Sequence, residues 1–155
     1  MKRVLLLLVC ALSVGLFHSC SEDLGESGIE IPEFNLKDLT PTDLYIYKNY
    51  TKPYNVEVIY RWKDSETDVA KNLVPPEEEK VEPFLEILKT VWVDPYVEEA
   101  GSNFLKGLIP KQILLIGSAS YNPDETVTQG TAEGGRKMVL YEINSFSPQN
   151  VTKLK

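Results

Sequence analysis

Histidine is nearly missing from this 155-residue chain, with His18 the single copy, and cysteine is almost as scarce, with Cys10 and Cys20 alone. Both scarcities bear on chemistry. Residues 21 to 155 contain no imidazole and no thiol, which excludes from that stretch a Ser-His-Asp or Cys-His nucleophile and any zinc site built from His or Cys. Carboxylates are the catalytic groups left. Positive charge is also in deficit: 16 Lys and Arg stand against 23 Asp and Glu, a formal charge of -7. No basic cluster interrupts that balance, so phosphate backbones are repelled and no nucleic acid partner is expected. Among the acids, Glu57, Asp64, Glu66, Asp68 and Glu133 are candidates for a glycosidase pair, which needs two carboxyls about 5 to 9 Å apart. Their spacing singles out no such pair.

What the amino terminus does hold is an ordered set of signals. Lys2 and Arg3 form a basic start, and Val4 to Phe17 is an apolar run too short to span a bilayer. Ser19 is a small residue directly before Cys20. This is the order of a bacterial lipoprotein processing site, so residues 1–19 are expected to be a signal peptide and Cys20 a lipidated amino terminus. Each buried methylene contributes about 0.8 kcal/mol and one acyl chain anchors only marginally, so two or three chains on Cys20 would hold the protein to the membrane. Cys10 leaves with the signal and Cys20 is taken by lipid, which leaves no disulfide even in an oxidising compartment. Glu22-Asp23 resembles the acidic tag of surface-directed Gram-negative lipoproteins, which places the expected location at the outer membrane, on the cell surface. Residues 20–39 are polar and dotted with glycine and read as the lipidated tether, and residues 40–155 as one domain.

Along that domain, Thr40, Pro41 and Asp43 form a cap, a first-turn proline and a third-position acid, which predicts a helix over Pro41 to Tyr50 with Leu44, Ile46 and Tyr47 on its apolar side. The period changes to two from Tyr54 to Trp62, predicting a strand with Val56, Val58, Tyr60 and Trp62 on one buried face. Asp64 to Asp68 alternates acids like a calcium loop, but the required sixth and twelfth positions hold Val69 and Pro75, so a solvated turn is expected. Pro75-Pro76 stops the chain, and Glu77, Glu78 and Glu79 put negative charge where a helix begins. Val81, Phe84, Leu85, Leu88, Val91 and Trp92 then recur at helical spacing, with Pro83 near the start, Asp94-Pro95 as a kink or second cap, and Gly101 as the end. A short turn is read over Asn103 to Leu108. Gln112 to Ser118 is apolar on both faces and predicts a central strand, and strand-helix-strand order predicts a right-handed parallel crossover. Thr126 to Thr131 and Lys137 to Ile143 bracket Ala132-Glu133-Gly134-Gly135 as a tight hairpin. Ser147-Pro148 resembles another capped helix start, which stops after two turns at Lys155 and suggests an amino-terminal fragment.

Four segments taken together carry a resemblance: Lys52 to Trp62, Asn72 to Pro76, Trp92 to Val97 and Gly130 to Lys137. In order and spacing, over about Thr40 to Asn144, they look like the amino-terminal part of the zinc-binding metallopeptidase lipoproteins, also called substrate import-associated zinc metallohydrolase lipoproteins. The resemblance implies an α+β fold, namely a zincin-like upper subdomain with a mixed sheet and a backing helix. It also implies partners in an outer-membrane importer and its binding lipoprotein, and a role in work on imported nutrients. The departure is the family's His-Glu-x-x-His helix, in which two histidines bind zinc and the Glu is general base. It is absent from these residues, so the catalytic half is missing, no catalytic or metal-binding residue carries over, and no cofactor is expected on this chain although zinc is expected in full-length relatives.

Gly130, Thr131, Ala132, Glu133 and Gly134 can be read as the edge strand that lines a substrate cleft and pairs with extended peptide, or as a hairpin chosen for its glycines. Trp62 and Trp92 can be a sugar-stacking platform, but each follows the buried period of its element and reads as core. The function expected is thus an inactive, lipid-anchored member of a zinc metallohydrolase family. The rival is a non-catalytic surface module that binds glycan, peptide or a partner lipoprotein.

Overall fold

Two prolines set inside helical sequence shape the first half of the fold. The computed structural model describes residues 35–68 and 70–148. After a 3-10 turn at Leu36–Asp38, helix α1 covers Pro41–Ile46 and runs through a π-helical turn, Tyr47–Thr51, into α2, Lys52–Tyr54. Thr40 caps α1 as its sequence predicts: its hydroxyl accepts from the Asp43 N–H at 3.1 Å. The π turn precedes Pro53, and Lys52 N–H reaches back five residues to the Tyr47 carbonyl. A regular helix would drive the Pro53 ring into the carbonyl four residues earlier, and the wider turn relieves that clash. Helical structure therefore extends through Tyr54, which the alternating pattern assigns to the strand. Asn55, in the left-handed region with φ 55°, ends it.

Strand β1 is accordingly short, Glu57–Ile59. Val56 and Tyr60 are buried in the main core with Val58 against it, but a bend at Tyr60-Arg61 breaks the alternation. Trp62 consequently packs on the other face of the sheet with Ile59, and its indole N–H donates to the Leu115 carbonyl at 3.0 Å. It is partly buried against that core and does not lie on the face its spacing predicts.

Helix α3, Glu78–Leu88, starts with the expected acids in its first turn. Pro83 lies inside the helix rather than in its first turn, so the Glu79 carbonyl loses its helical donor. A second π turn, Lys89–Val93, leads into α4, Asp94–Ala100, with Pro95 again just past the turn. The extra residue in that turn shifts the buried stripe. Val81 and Leu85 are followed inward by Val93, fully buried, whereas Val91 is 60% exposed and Trp92 only packs against the core margin. Tyr50, also fully buried, donates its hydroxyl to the Leu85 carbonyl at 2.5 Å and fastens the first helical segment to α3. Gly101, φ 82°, ends α4 and opens a further helix, α5, over Ser102–Leu108, where the sequence reads as a turn. The cost of Gly107 within the helix is offset by burial of Leu105 and Ile109.

Strand β2, Gln112–Leu115, lies at the centre of a four-stranded sheet ordered β1-β2-β6-β5, with β5 at Gly130–Glu133 and β6 at Lys137–Leu140. β1 and β2 are parallel, Glu57 opposite Gln112, as the crossover argument predicts; β2 and β6 are also parallel, and β5 and β6 antiparallel. The fold is thus α+β with a mixed sheet. Ile113 and Leu115 enter the helix-covered core with Val56, Val81 and Leu85, while Leu114 and Ile116 join Val139, Trp62, Leu73 and Tyr141 on the opposite face. The segment expected as one strand over Thr126 to Thr131 is split: β4, Val127–Thr128, pairs with β3, Ser120–Tyr121, in a separate ribbon. Ile143 leaves the strand periodicity as well. Glu142 adopts φ 63°, and the 3-10 turn Ile143–Ser145 returns Ile143 to the main core instead of the Val139 face. The helix expected after Ser147 lies, beyond Pro148, outside the described residues.

Candidate functional site

Which backbone groups of β5 are free follows from the ladder of β6. Gln112 N–H donates to the Arg136 carbonyl and Ile116 N–H to the Leu140 carbonyl, so the even-numbered residues of β6 aim their backbone at β2. The odd-numbered ones face β5, as the bond from Tyr141 N–H to the Gln129 carbonyl requires. In the antiparallel register, Thr131 and Glu133 therefore pair with Val139 and Lys137 through backbone bonds, and Gly130 and Ala132 form the non-bonded pairs with Leu140 and Met138. The N–H and C=O of Gly130 and Ala132 point away from the sheet. No strand among the described residues takes them up, and all four β5 residues are exposed.

The hairpin that presents this edge is made by Gly134 and Gly135, with φ of 57° and 69°, conformations that a side chain would strain. Arg136 N–H closes the turn on the Glu133 carbonyl at 3.0 Å. The five edge-strand candidates thus fall together, with Gly130 to Glu133 forming the strand and Gly134 its turn. Gly130 has a second reason to be glycine: a Cβ there would lie 3.1 Å from the Val139 carbonyl oxygen.

On the Thr131 and Glu133 face, the loop after β1 folds over the sheet and leaves a depression of about 320 Å³ floored by Leu114, Ile116 and Val139. Glu66, Asp68, Glu133 and Lys137 stand around it. Lys137 Nζ donates to the Glu66 carbonyl at 3.2 Å and lies 3.9 Å from the Glu133 carboxylate. The other acids named as candidates have local structural duties. Glu57 accepts from Gln112 Nε2 at 2.9 Å, Glu66 from the Lys63 N–H at 2.8 Å, and Asp68 from the Ala70 N–H at 3.0 Å.

Sequence reasoning passed over one polar group. Asp43 accepts from the Tyr60 hydroxyl at 2.9 Å, from the Thr40 hydroxyl at 2.9 Å and from Arg61. Burial works to raise its carboxyl, but the bonds from Tyr60, Arg61 and Thr40 outweigh burial and hold the pKa below its ordinary value. Burial first, and then the Asp43 carboxylate, push the Tyr60 phenol up to about 12 despite the Thr40 bond, so it stays a neutral donor. Only the acid at the third helical position signals this cluster in sequence, and it reads there as a capping residue. The cluster ties the start of α1 to the end of β1.

Among the described residues there is no histidine or cysteine, and no three Asp or Glu side chains converge to hold a metal ion. That donor set does not fit a catalytic zinc, whose usual protein ligands include at least two nitrogen or sulfur donors. Cys20, the expected lipidation site, lies outside the described residues, and no helix within them is long and apolar enough to cross a membrane.

The molecule is an α+β domain whose mixed sheet ends in an open antiparallel edge. Residues 36–155 match the family described as "Putative zinc-binding metallo-peptidase", and the chain belongs to that family. It is similar to a solved structure from Bacteroides caccae ATCC 43185 that carries the same description, with 39% identity and a TM-score of 0.54 over 73% of this chain and 43% of that one. The chain therefore spans less than half the length of that relative. None of the curated proteins matches it.

Proposed function

We propose that these residues form the substrate-holding portion of a lipid-anchored zinc metallopeptidase-family protein, that β5 receives extended peptide along its free edge, and that hydrolysis requires zinc ligands the 155 residues do not supply. The carrying observation is the pair of outward-facing backbone units at Gly130 and Ala132 in a fold of that family. Main-chain hydrogen bonding of this kind supplies affinity without a deep pocket. The zinc named in the family description suits full-length relatives, whereas on this chain no zinc and no peptide hydrolysis are expected. The amino-terminal signals around Cys20 support an anchor in the outer membrane facing the cell surface, and the family resemblance supports a place beside an importer and its binding lipoprotein.

Two measurements test this reading. Metal analysis of the purified 155-residue chain should find no stoichiometric zinc, and one tightly held ion would overturn the account of the ligands. Fatty-acid labelling should depend on Cys20, and incorporation surviving Cys20→Ala would remove the anchor. A second reading, a non-catalytic surface module that binds peptide, glycan or a partner lipoprotein, is favoured by the absence of any histidine or cysteine from the described residues. Peptide binding by the chain without hydrolysis after addition of zinc fits both readings. Hydrolysis by the 155-residue chain itself would overturn both.

A further inference from the structure

The open edge of β5 is not chemically uniform, and its two faces differ in a way that selects among peptides. On the helix side the edge offers only Gly130 and Ala132, which present almost no side chain to a neighbouring strand. On the other side it offers Thr131 and Glu133. A strand added antiparallel to β5 would bond through its backbone to Gly130 and Ala132. The residues opposite Thr131 and Glu133 would then occupy non-hydrogen-bonded sites, where Cα atoms approach to about 4.5 Å and side chains are closest. Contact with the side chain opposite Glu133 is therefore the strongest side-chain contact this edge can make.

We infer that Glu133 selects a cationic side chain, Lys or Arg, at the position of a bound extended peptide directly opposite it. The inference rests on the reading of β5 as a peptide-binding edge. Three features support it. The Glu133 side chain is 60% exposed and its one ionic partner among the described residues, Lys137, stands 3.9 Å away on the opposite strand, so the carboxylate keeps capacity on its open side. Glu66 and Asp68 border the same depression as Glu133, with Lys137 the only basic residue there, so the local field favours a second cation. The chain as a whole carries a formal charge of -7, which draws basic segments and repels acidic ones. Arg136 sits in the turn beyond the end of β5. On the helix side, the small Gly130 and Ala132 leave room for bulky residues at alternate peptide positions, so the recognised pattern is a large side chain on one face and a basic one on the other.

The test uses the full 155-residue chain and three fluorescein-labelled extended peptides that differ only at a central residue, Lys, norleucine or Glu, read by fluorescence anisotropy at low salt. The Lys peptide should bind about fivefold tighter than the Glu peptide, Glu133→Gln should bring the three together, and Glu133→Lys should reverse the order. Equal affinity for all three on the unmodified chain would overturn the charge selection. The edge itself is checked separately. Ala132→Pro removes only an N–H that faces outward and so leaves the β5–β6 ladder whole, and it should weaken every peptide alike. Peptides N-methylated at alternate residues probe the same bonds without altering the protein, and one alternate set should lose binding while the other keeps it. Binding that ignores both changes, or no binding by any peptide, would overturn the edge reading and with it the role of Glu133. Equal binding that is lost on N-methylation would leave the edge and remove the selectivity alone.

Discussion

The Tyr60 hydroxyl donates to Asp43 Oδ1 at 2.9 Å across seventeen residues of sequence, joining the residue just after β1 to the first turn of α1. The Arg61 guanidinium takes the other carboxylate oxygen and also lies over the Tyr60 ring, 4.7 Å from its centroid. The Arg61 side chain is 58% exposed, so solvent weakens its share, and the neutral phenol bond and the Thr40 cap carry most of the stabilisation.

Asp43→Asn should therefore cost about 1 kcal/mol at neutral pH. Because the folded pKa of Asp43 lies below the ordinary 3.8, the carboxylate's contribution is complete above that value and is lost as pH falls through the lowered folded one. Urea unfolding of both proteins should thus give a gap at pH 7 that narrows below pH 3.8. The phenol works in the opposite sense. Raised to about 12, Tyr60 contributes fully below its ordinary 10.0, and that contribution is lost as pH climbs through 12. A gap between the two proteins that held constant from pH 7 into the acid range would contradict the bonding at Asp43.

A second prediction concerns the π turn at Lys89–Val93. Uninterrupted helical spacing from Val81 and Leu85 brings the next inward positions to Leu88 and Trp92, with Val91 beside them, but the extra residue in the turn brings Val93 to the core. Val93→Ala should cost about 2 kcal/mol through lost burial and the cavity left behind. Val91→Ala should fall within about 0.5 kcal/mol of the parent, as exposed substitutions do. Thermal melts of the two variants decide it, and equal losses would mean that the helix passes Pro95 without the wider turn.

The same turn explains which parts of the fold could be read in advance. The parallel pairing of β1 with β2, the central burial of Ile113 to Ile116, the cap at Thr40 and the glycine hairpin all follow from local rules that the backbone obeys. Errors collected where one residue changes the periodicity. The π turns before Pro53 and Pro95 each insert a position, the bend at Tyr60-Arg61 moves Trp62 across the sheet, and the left-handed Glu142 turns Ile143 back to the core. Helix α5 was hidden by Gly101 before it and Gly107 within it, residues that lower helical propensity while tertiary contacts at Leu105 restore it. The edge strand was legible as a strand. Its free backbone at Gly130 and Ala132 was not, because that depends on which strand lies beyond it, a fact of topology rather than of residue type.

The last prediction is that Gly117 tolerates no side chain. This residue follows β2 at the point where three segments meet: its N–H donates to the Val74 carbonyl at 2.8 Å, its carbonyl accepts from the Asn144 N–H at 3.1 Å, and the Asn144 side chain accepts in turn from Glu77 N–H at 2.8 Å. A Cβ at 117 would lie 2.5 Å from the Pro75 carbonyl oxygen and 2.6 Å from Asn144 Nδ2. The amide could swing away, but doing so would release the Glu77 N–H, which Asn144 satisfies at the start of α3; the Pro75 carbonyl is backbone and cannot yield without moving the Pro75-Pro76 stop. Gly117→Ala should thus destabilise by about 1 to 3 kcal/mol, the usual cost of overpacking. Gly107→Ala is the matched control, since an added Cβ there meets nothing within 4 Å and the helical site gains from alanine, so its stability should rise by about 0.5 to 1 kcal/mol. Denaturant midpoints for the pair should move in opposite directions, and a Gly117→Ala protein as stable as its parent would show that the loop before α3 does not close against the end of β2.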